Sequence, residues 1–121
     1  YGIDAIGPTL DLDLLTNTIL DAAIEAIRIE ATGTGTSTWI VSGNSLSGTG
    51  AGDVTEAKFI NSGGAPGTVD LTLTGNSSTN TVPDPDFNFD LSNSGGGGFT
   101  LQQNRSNWGS VGSFDGTVTL P

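Results

Sequence analysis

The sequence predicts a mainly β protein: an antiparallel β-sandwich, immunoglobulin-like or jelly-roll-like, of about seven strands, with one N-terminal helix and an extended arm. Three observations lead to this prediction. Short runs of alternating apolar and polar residues recur roughly every eight to twelve residues, a spacing typical of sandwiches and barrels. Stretches rich in Gly, Ser and Asn separate these runs and favour turns. A single stretch, Asp11–Ala31, instead carries apolar residues at helical spacing.

Composition limits both the size and the chemistry of the protein. A chain of 121 residues suits one compact unit, and its formal net charge of −10 disfavours nucleic acid and anionic membranes as partners. The absence of Cys and His removes disulfides, thiol catalysis and the commonest general base. No apolar run approaches the ~20 residues that a transmembrane helix needs.

The first element is an extended arm, residues 1–9, which glycine and proline interrupt. Its apolar side chains are Tyr1, Ile3 and Ile6. Such an arm can cover an edge of its own sheet or pair with an edge strand of a neighbouring subunit. Because the sequence starts with Tyr1 rather than Met, we expect a removed signal peptide or propeptide, and therefore an extracellular or cell-surface location.

The second element is the predicted helix at Asp11–Ala31. Leu12, Leu15 and Ile19 recur at three- and four-residue spacing, which places them on one helical face. A competing interpretation is that residues 26–31 alternate apolar and polar side chains and open the first strand. The arm and helix, residues 1–31, are predicted to be an assembly element, and residues 32–121 are predicted to be the sandwich.

The remaining elements are predicted strands. They lie at Trp39-Ile40-Val41, 53–61, 68–74, 86–92, 99–103, 108–114 and 116–120. The run at 68–74 is the clearest, because Val69, Leu71 and Leu73 all fall on one face.

A candidate calcium site lies in the predicted strand at 86–92 and just before it. Oxygen-bearing side chains occupy every second position: Asp84, Asp86, Asn88 and Asp90. Such spacing is found in calcium-binding loops, although the glycine of the sharp turn and the bidentate glutamate are missing. The same residues on a strand would simply form its solvent face. No other cofactor is predicted.

No residue is predicted to be catalytic. Acidic pairs such as Asp84 with Asp86, or Asp115 with Glu56, are expected to be solvated surface charges in so acidic a chain. The glycine-rich stretches lack the Lys-Ser/Thr and the helix start of a phosphate-binding loop. The sequence therefore favours a protein that is not an enzyme.

One stretch resembles a known family. Gly52-Asp53-Val54-Thr55, then Phe59–Gly67 and Val69–Leu73, are similar to the hairpin of CARDB-like immunoglobulin-like domains found on bacterial and archaeal cell surfaces. The resemblance implies a sandwich scaffold used for structure or adhesion, without catalytic residues.

These observations favour a non-enzymatic structural subunit of an extracellular surface assembly, filament-like or pilus-like, that polymerises through its N-terminal arm. Its partners would be copies of itself. The predicted interface residues are Tyr1, Ile3, Ile6, Leu12, Leu15 and Ile19. Two alternatives remain open: a virion tail, fibre or decoration protein, and a monomeric adhesion or carbohydrate-binding module that uses Trp108.

Overall fold

The structure is a computed structural model that describes residues 1–20, 25–47, 57–78, 88–102 and 110–120. These residues include twelve short strands, and none of them is helical. The strands are β1 (Ile3–Gly7), β2 (Asp11–Leu15), β3 (Thr18–Leu20), β4 (Ile27–Ala31), β5 (Thr36–Ser42), β6 (Ser45–Ser47), β7 (Ala57–Asn61), β8 (Thr68–Thr74), β9 (Ser77–Ser78), β10 (Asn88–Asn93), β11 (Gly98–Leu101) and β12 (Ser110–Gly116). Within the described ranges there is no helix long and apolar enough to cross a membrane.

The strands form three sheets in which every strand pair is parallel. Sheet A has the order β1-β4-β7-β10-β12, sheet B the order β2-β5-β8-β11, and sheet C the order β3-β6-β9. Three times in succession the chain passes through A, B and C and then returns to A beside the strand it left, so it winds as a parallel β-solenoid. We number its coils 1 to 5 after the five described ranges.

Equivalent strands stay in register although the coils differ in length. Ile3 lies beside Ile27, 24 residues on, and Ile27 lies beside Ala57, 30 residues on. Ala57 lies beside Phe89, a further 32 residues on. Side chains in equivalent positions therefore stack in columns along the solenoid, and the difference in length falls between the strands.

Apolar columns from sheets A and B fill the interior. Trp39 of β5 packs against Phe59 of β7 with ring centroids 6.5 Å apart, and against Phe99 of β11 at 6.1 Å. Phe59 stacks on Phe89 of the next coil at 6.3 Å. All four rings are buried, and at these distances aromatic pairs attract each other beyond the effect of area burial.

The predicted helix at Asp11–Ala31 is wrong. The described residues of this stretch include β2, β3 and β4, one strand in each sheet. Leu12 and Leu14 face inward beside Trp39 and Val41 of the next coil, so the two-residue alternation prevails over the helical spacing. The competing interpretation of residues 26–31 as a strand agrees with β4.

The antiparallel sandwich is also wrong, because the three sheets are parallel. Alternation of apolar and polar residues is the same in parallel and antiparallel strands, so this pattern could not distinguish them. The prediction of a mainly β chain is confirmed, as are strands at Trp39-Ile40-Val41 and at 68–74. Residues 1–31 contribute strands to all three sheets rather than a helix beside a sandwich.

Candidate functional site at the first coil

Among the described residues, β1, β2 and β3 each have a neighbouring strand on one side only, so coil 1 lies at one edge of all three sheets. In a parallel strand the N–H and C=O of one residue point to the same side, and successive residues alternate sides. Ile3 N–H donates to Ala26 O at 2.8 Å, and Gly7 O accepts from Thr32 N–H at 2.9 Å. Asp4 and Ile6 lie between Ile3 and Gly7 and have the opposite orientation. Their main-chain N–H and C=O groups therefore point away from β4.

The apolar interior is incompletely covered at coil 1. Ile27 and Trp39 of coil 2 have no exposed surface. Ile3 and Leu12, in the same inward columns, are half-buried, and coil 2 is their only neighbouring coil among the described residues. The end of the core is thus an apolar surface next to unpaired strand edges, and such edges can template pairing with another chain.

Large apolar side chains are exposed on the outside of coil 1 as well. Among the described residues, those with at least 46% exposure are Tyr1, Ile6, Leu15, Leu20 and Leu120. Four of these five belong to coil 1 and the last to coil 5, while coils 2 to 4 have none. Exposed apolar surface can mark a contact surface, and here most of it belongs to one coil, spread over β1, β2 and β3.

A charged cluster fixes the first residues of coil 1 on coil 2. The Arg28 guanidinium contacts the Asp4 carboxylate at 3.3 Å and also pairs with Glu30. It lies 5.8 Å from the centre of the Tyr1 ring, a cation–π distance. Glu30 in turn accepts a hydrogen bond from the Ser62 hydroxyl at 2.6 Å. Every charge in this cluster has a partner within the protein, so the cluster positions β1 rather than offering a ligand site.

A ladder of asparagines forms the corner between sheets B and C. Asn17 donates its main-chain N–H and its Nδ2 to Asn44 Oδ1, both at 2.9 Å. Asn44 makes the same two bonds to Asn76 Oδ1, at 3.1 and 2.9 Å. The Nδ2 groups of Asn44 and Asn76 also donate to main-chain oxygens of the preceding coil, Leu14 at 3.0 Å and Val41 at 2.9 Å. The ladder therefore ties coils 1, 2 and 3 together at fixed register.

This ladder was not predicted, although the sequence contains a signal for it. The residues before its asparagines have left-handed φ angles of 56° at Thr16, 66° at Gly43 and 63° at Gly75. Gly43-Asn44 and Gly75-Asn76 repeat at the separation of one coil, 32 residues. A search for internal repeats would have found this dipeptide and indicated a solenoid.

A second repeat occupies the corner after sheet A. Asn61-Ser62-Gly63-Gly64 in coil 3 recurs as Asn93-Ser94-Gly95-Gly96 in coil 4. Asn61 Nδ2 donates to Gly98 O at 2.9 Å, and Asn93 Nδ2 donates to Thr117 O at 2.7 Å. Both side chains are buried, so this corner is held by polar bonds within a largely apolar interior.

The structure places every predicted interface residue in coil 1. These are the exposed Tyr1, Ile6 and Leu15, the half-buried Ile3 and Leu12, and the buried Ile19. Their role in assembly stays a prediction, and Ile19 contributes to the core instead of the surface.

The candidate calcium residues are only partly described. Asp84 and Asp86 lie outside the described residues, as does Trp108. Asn88 and Asp90 belong to β10, and Asp90 lies beside Lys58 of β7. Among the described side chains no group of three or more acidic, His or Cys residues is arranged to hold a metal ion. The calcium site stays a prediction.

The described residues define the chain as a parallel β-solenoid with exposed apolar side chains on its first coil. No family model, no curated protein and no solved structure matches the chain. The resemblance to CARDB-like domains stays untested, and the sandwich it implied is not the observed fold.

Proposed function

We propose that this protein is a non-enzymatic structural subunit of an extracellular surface assembly, and that it self-associates through coil 1. One observation carries the proposal: four of the five exposed large apolar side chains of the described residues lie on coil 1, whose three strands each have a described neighbour on one side only. Covering these side chains and edges would lower the free energy of an associated state.

The stacking of the coils is consistent with a structural role. Neighbouring coils contact each other through main-chain hydrogen bonds, packed apolar side chains and asparagine ladders, so the stability of the fold comes from contacts between neighbouring coils. The net charge of −10 favours solubility and disfavours nucleic acid, which fits a surface exposed to water and salt.

Self-association can be tested by sedimentation velocity of the chain over a wide range of concentration, with negative-stain imaging of any large species. We expect wild-type protein to associate, and the double variant Ile6→Lys, Leu15→Lys to raise the dissociation constant at least tenfold, since two desolvated ammonium groups oppose the contact.

A matched control places the same charges on middle coils. Ile40→Lys with Ile60→Lys changes two outward, half-buried residues of β5 and β7 and should leave association unchanged. Far-UV circular dichroism would verify that both variants keep their β structure. A wild-type chain that remains monomeric at every concentration would contradict the proposal.

A further inference from the structure

The chain contains four Asn-Ser dipeptides, and all four lie at corners of the solenoid. Asn44 and Asn76 follow strands of sheet B, while Asn61 and Asn93 end strands of sheet A. Three of these asparagines are buried and Asn76 is half-buried. An asparagine before a small residue is prone to lose its side-chain amide, because a small side chain lets the following main-chain nitrogen reach Cγ.

Deamidation at such a site takes place within the chain. The main-chain nitrogen of the serine gives up its proton to a base in the solvent and attacks Cγ of the asparagine. The Cγ–Nδ2 bond breaks and Nδ2 leaves as ammonia. Water then opens the cyclic imide to aspartate or isoaspartate. The sum of these steps is amide plus water to carboxylate plus ammonium, so the reaction needs no oxidant and no enzyme.

In the closed solenoid the attacking nitrogen is occupied at all four sites. The N–H of each serine donates to a main-chain oxygen of the preceding coil: Ser45 to Asn17 at 2.8 Å, Ser62 to Ala31 at 2.9 Å, Ser77 to Asn44 at 2.8 Å and Ser94 to Asn61 at 3.0 Å. The nitrogen must break this bond before it loses its proton or turns toward Cγ, and a broken bond inside the fold is costly.

The leaving group is fixed as well. Each Nδ2 donates to main-chain oxygens: Asn44 to Leu14 at 3.0 Å, Asn76 to Val41 at 2.9 Å, Asn61 to Gly98 at 2.9 Å, and Asn93 to Gly97 at 2.8 Å and Thr117 at 2.7 Å. At every site at least one of these oxygens belongs to a neighbouring coil. Both reacting groups are therefore fixed by contacts that exist only while the coils are stacked.

The product of deamidation does not fit the corner. A carboxylate is an acceptor only, so an oxygen in the place of Nδ2 would face main-chain oxygens to which it cannot donate. At Asn44 the new oxygen would also face Asn76 Oδ1, and the new charge would lie at a fully buried position. A coil that has lost such an amide therefore cannot close as before.

We propose that the closed solenoid protects its four Asn-Ser pairs from deamidation and that an open coil exposes them, so that deamidation makes coil opening irreversible. Proteins open locally at a lower free energy than they unfold globally, and chemical change of the open state is one cause of irreversible unfolding. The lifetime of the protein is then set by how often its coils open.

Incubation of the chain at mildly alkaline pH, folded in buffer and unfolded in guanidinium chloride, tests the protection. Peptide mapping by mass spectrometry follows the conversion of each Asn-Ser pair. We expect every pair to react about tenfold faster or more in the unfolded chain, because the inter-coil bonds are then absent. A pair that reacts as fast in buffer as in guanidinium chloride would overturn the proposal for its corner.

Two glycine variants test whether stacking of the coils gives the protection. An added Cβ at Gly63 would lie 1.8 Å from Gly33 O and would push the two coils apart beside Asn61, whereas one at Gly64 meets nothing closer than 4.0 Å. Gly63→Ala should therefore raise the rate of deamidation at Asn61 in buffer, and the matched control Gly64→Ala should not. Equal rates in the two folded variants would count against the proposal.

Refolding tests the irreversibility. Samples left unfolded at mildly alkaline pH for increasing times are returned to buffer, and circular dichroism gives the refolded fraction. We expect this fraction to fall in step with the loss of corner amides, and samples left unfolded at mildly acidic pH, where the reaction is slow, to refold fully. Asn44→Asp, which carries the product at one corner from the start, should unfold at a lower guanidinium concentration than the wild type. A deamidated chain that refolds completely, or an Asn44→Asp chain as stable as the wild type, would overturn the irreversibility.

Discussion

Asn17 and Asn44 are 27 residues apart in the sequence, yet two hydrogen bonds of 2.9 Å run from the N–H and Nδ2 of Asn17 to Asn44 Oδ1. The same geometry recurs between Asn44 and Asn76. A fully buried amide thus serves as acceptor for one coil and donor for the next. This relationship shows how the solenoid holds its coils in register where the main chain turns.

Asn44→Ala should destabilise the protein by about 2–3 kcal/mol, because it removes the acceptor of both Asn17 donors and the buried amide that donates to Leu14 O, while the main-chain N–H of residue 44 keeps its bond to Asn76 Oδ1. Urea unfolding followed by circular dichroism measures the loss. Asn17→Ala is the control, since Asn17 is half-buried on coil 1 and its main-chain N–H is retained. Equal losses in the two variants would contradict a ladder whose strength depends on burial.

Thr16→Gly should leave stability unchanged or raise it by up to about 1 kcal/mol, contrary to the usual effect of glycine in a folded chain. Thr16 has φ 56°, a left-handed angle that is unfavourable for a β-branched residue, and glycine occupies the equivalent places in coils 2 and 3. The thermal midpoint, compared with that of Thr38→Gly within strand β5, measures the difference. A loss as large as that of the strand variant would show that Thr16 carries no strain.

Gly63→Ala should destabilise the protein by about 1–3 kcal/mol, because an added Cβ would lie 1.8 Å from Gly33 O and the main chain would have to move. Gly64→Ala, one residue later, meets nothing closer than 4.0 Å and should be tolerated. Chemical unfolding of the two variants gives a direct comparison. The close-approach explanation fails if both alanines are tolerated.

Arg28→Gln should cost about 1 kcal/mol or less at low salt, and less still at high salt. Arg28 pairs with Asp4 and Glu30 on a partly exposed face, where solvent screens much of the attraction. Unfolding free energies at two ionic strengths check this result. As a control, Lys58→Gln on the same outward column should show a smaller dependence on salt, because the described residues give it no ion pair within 4.0 Å.

Part of the fold could be read from the sequence. The run at 68–74 alternates strictly, and β8 buries Val69, Leu71 and Leu73 as predicted. Residues 11–31 were misread because Leu12, Leu15 and Ile19 fit helical spacing as well, while Leu14 and the turn at Thr16 and Asn17 indicated strands. Local spacing was ambiguous there, and the neighbouring coil decided between the two structures.

The role of the candidate site in assembly stays a prediction. Tyr1, Ile6 and Leu15 are three of the six predicted interface residues, and all three are exposed. Their common position on one coil beside unpaired edges follows only from the pairing of β1 with β4 and of β2 with β5. A helix at Asp11–Ala31 would have placed them on separate elements.

By itself, the sequence determined that the chain is mainly β, that it is strongly acidic and that its runs at 39–41 and 68–74 are strands, because alternation and charge are local properties of the chain. Tertiary structure alone decided that the strands are parallel and that asparagines stack at the corners. These features depend on pairing between residues 24 to 32 positions apart, and the same alternating side chains can satisfy either strand direction.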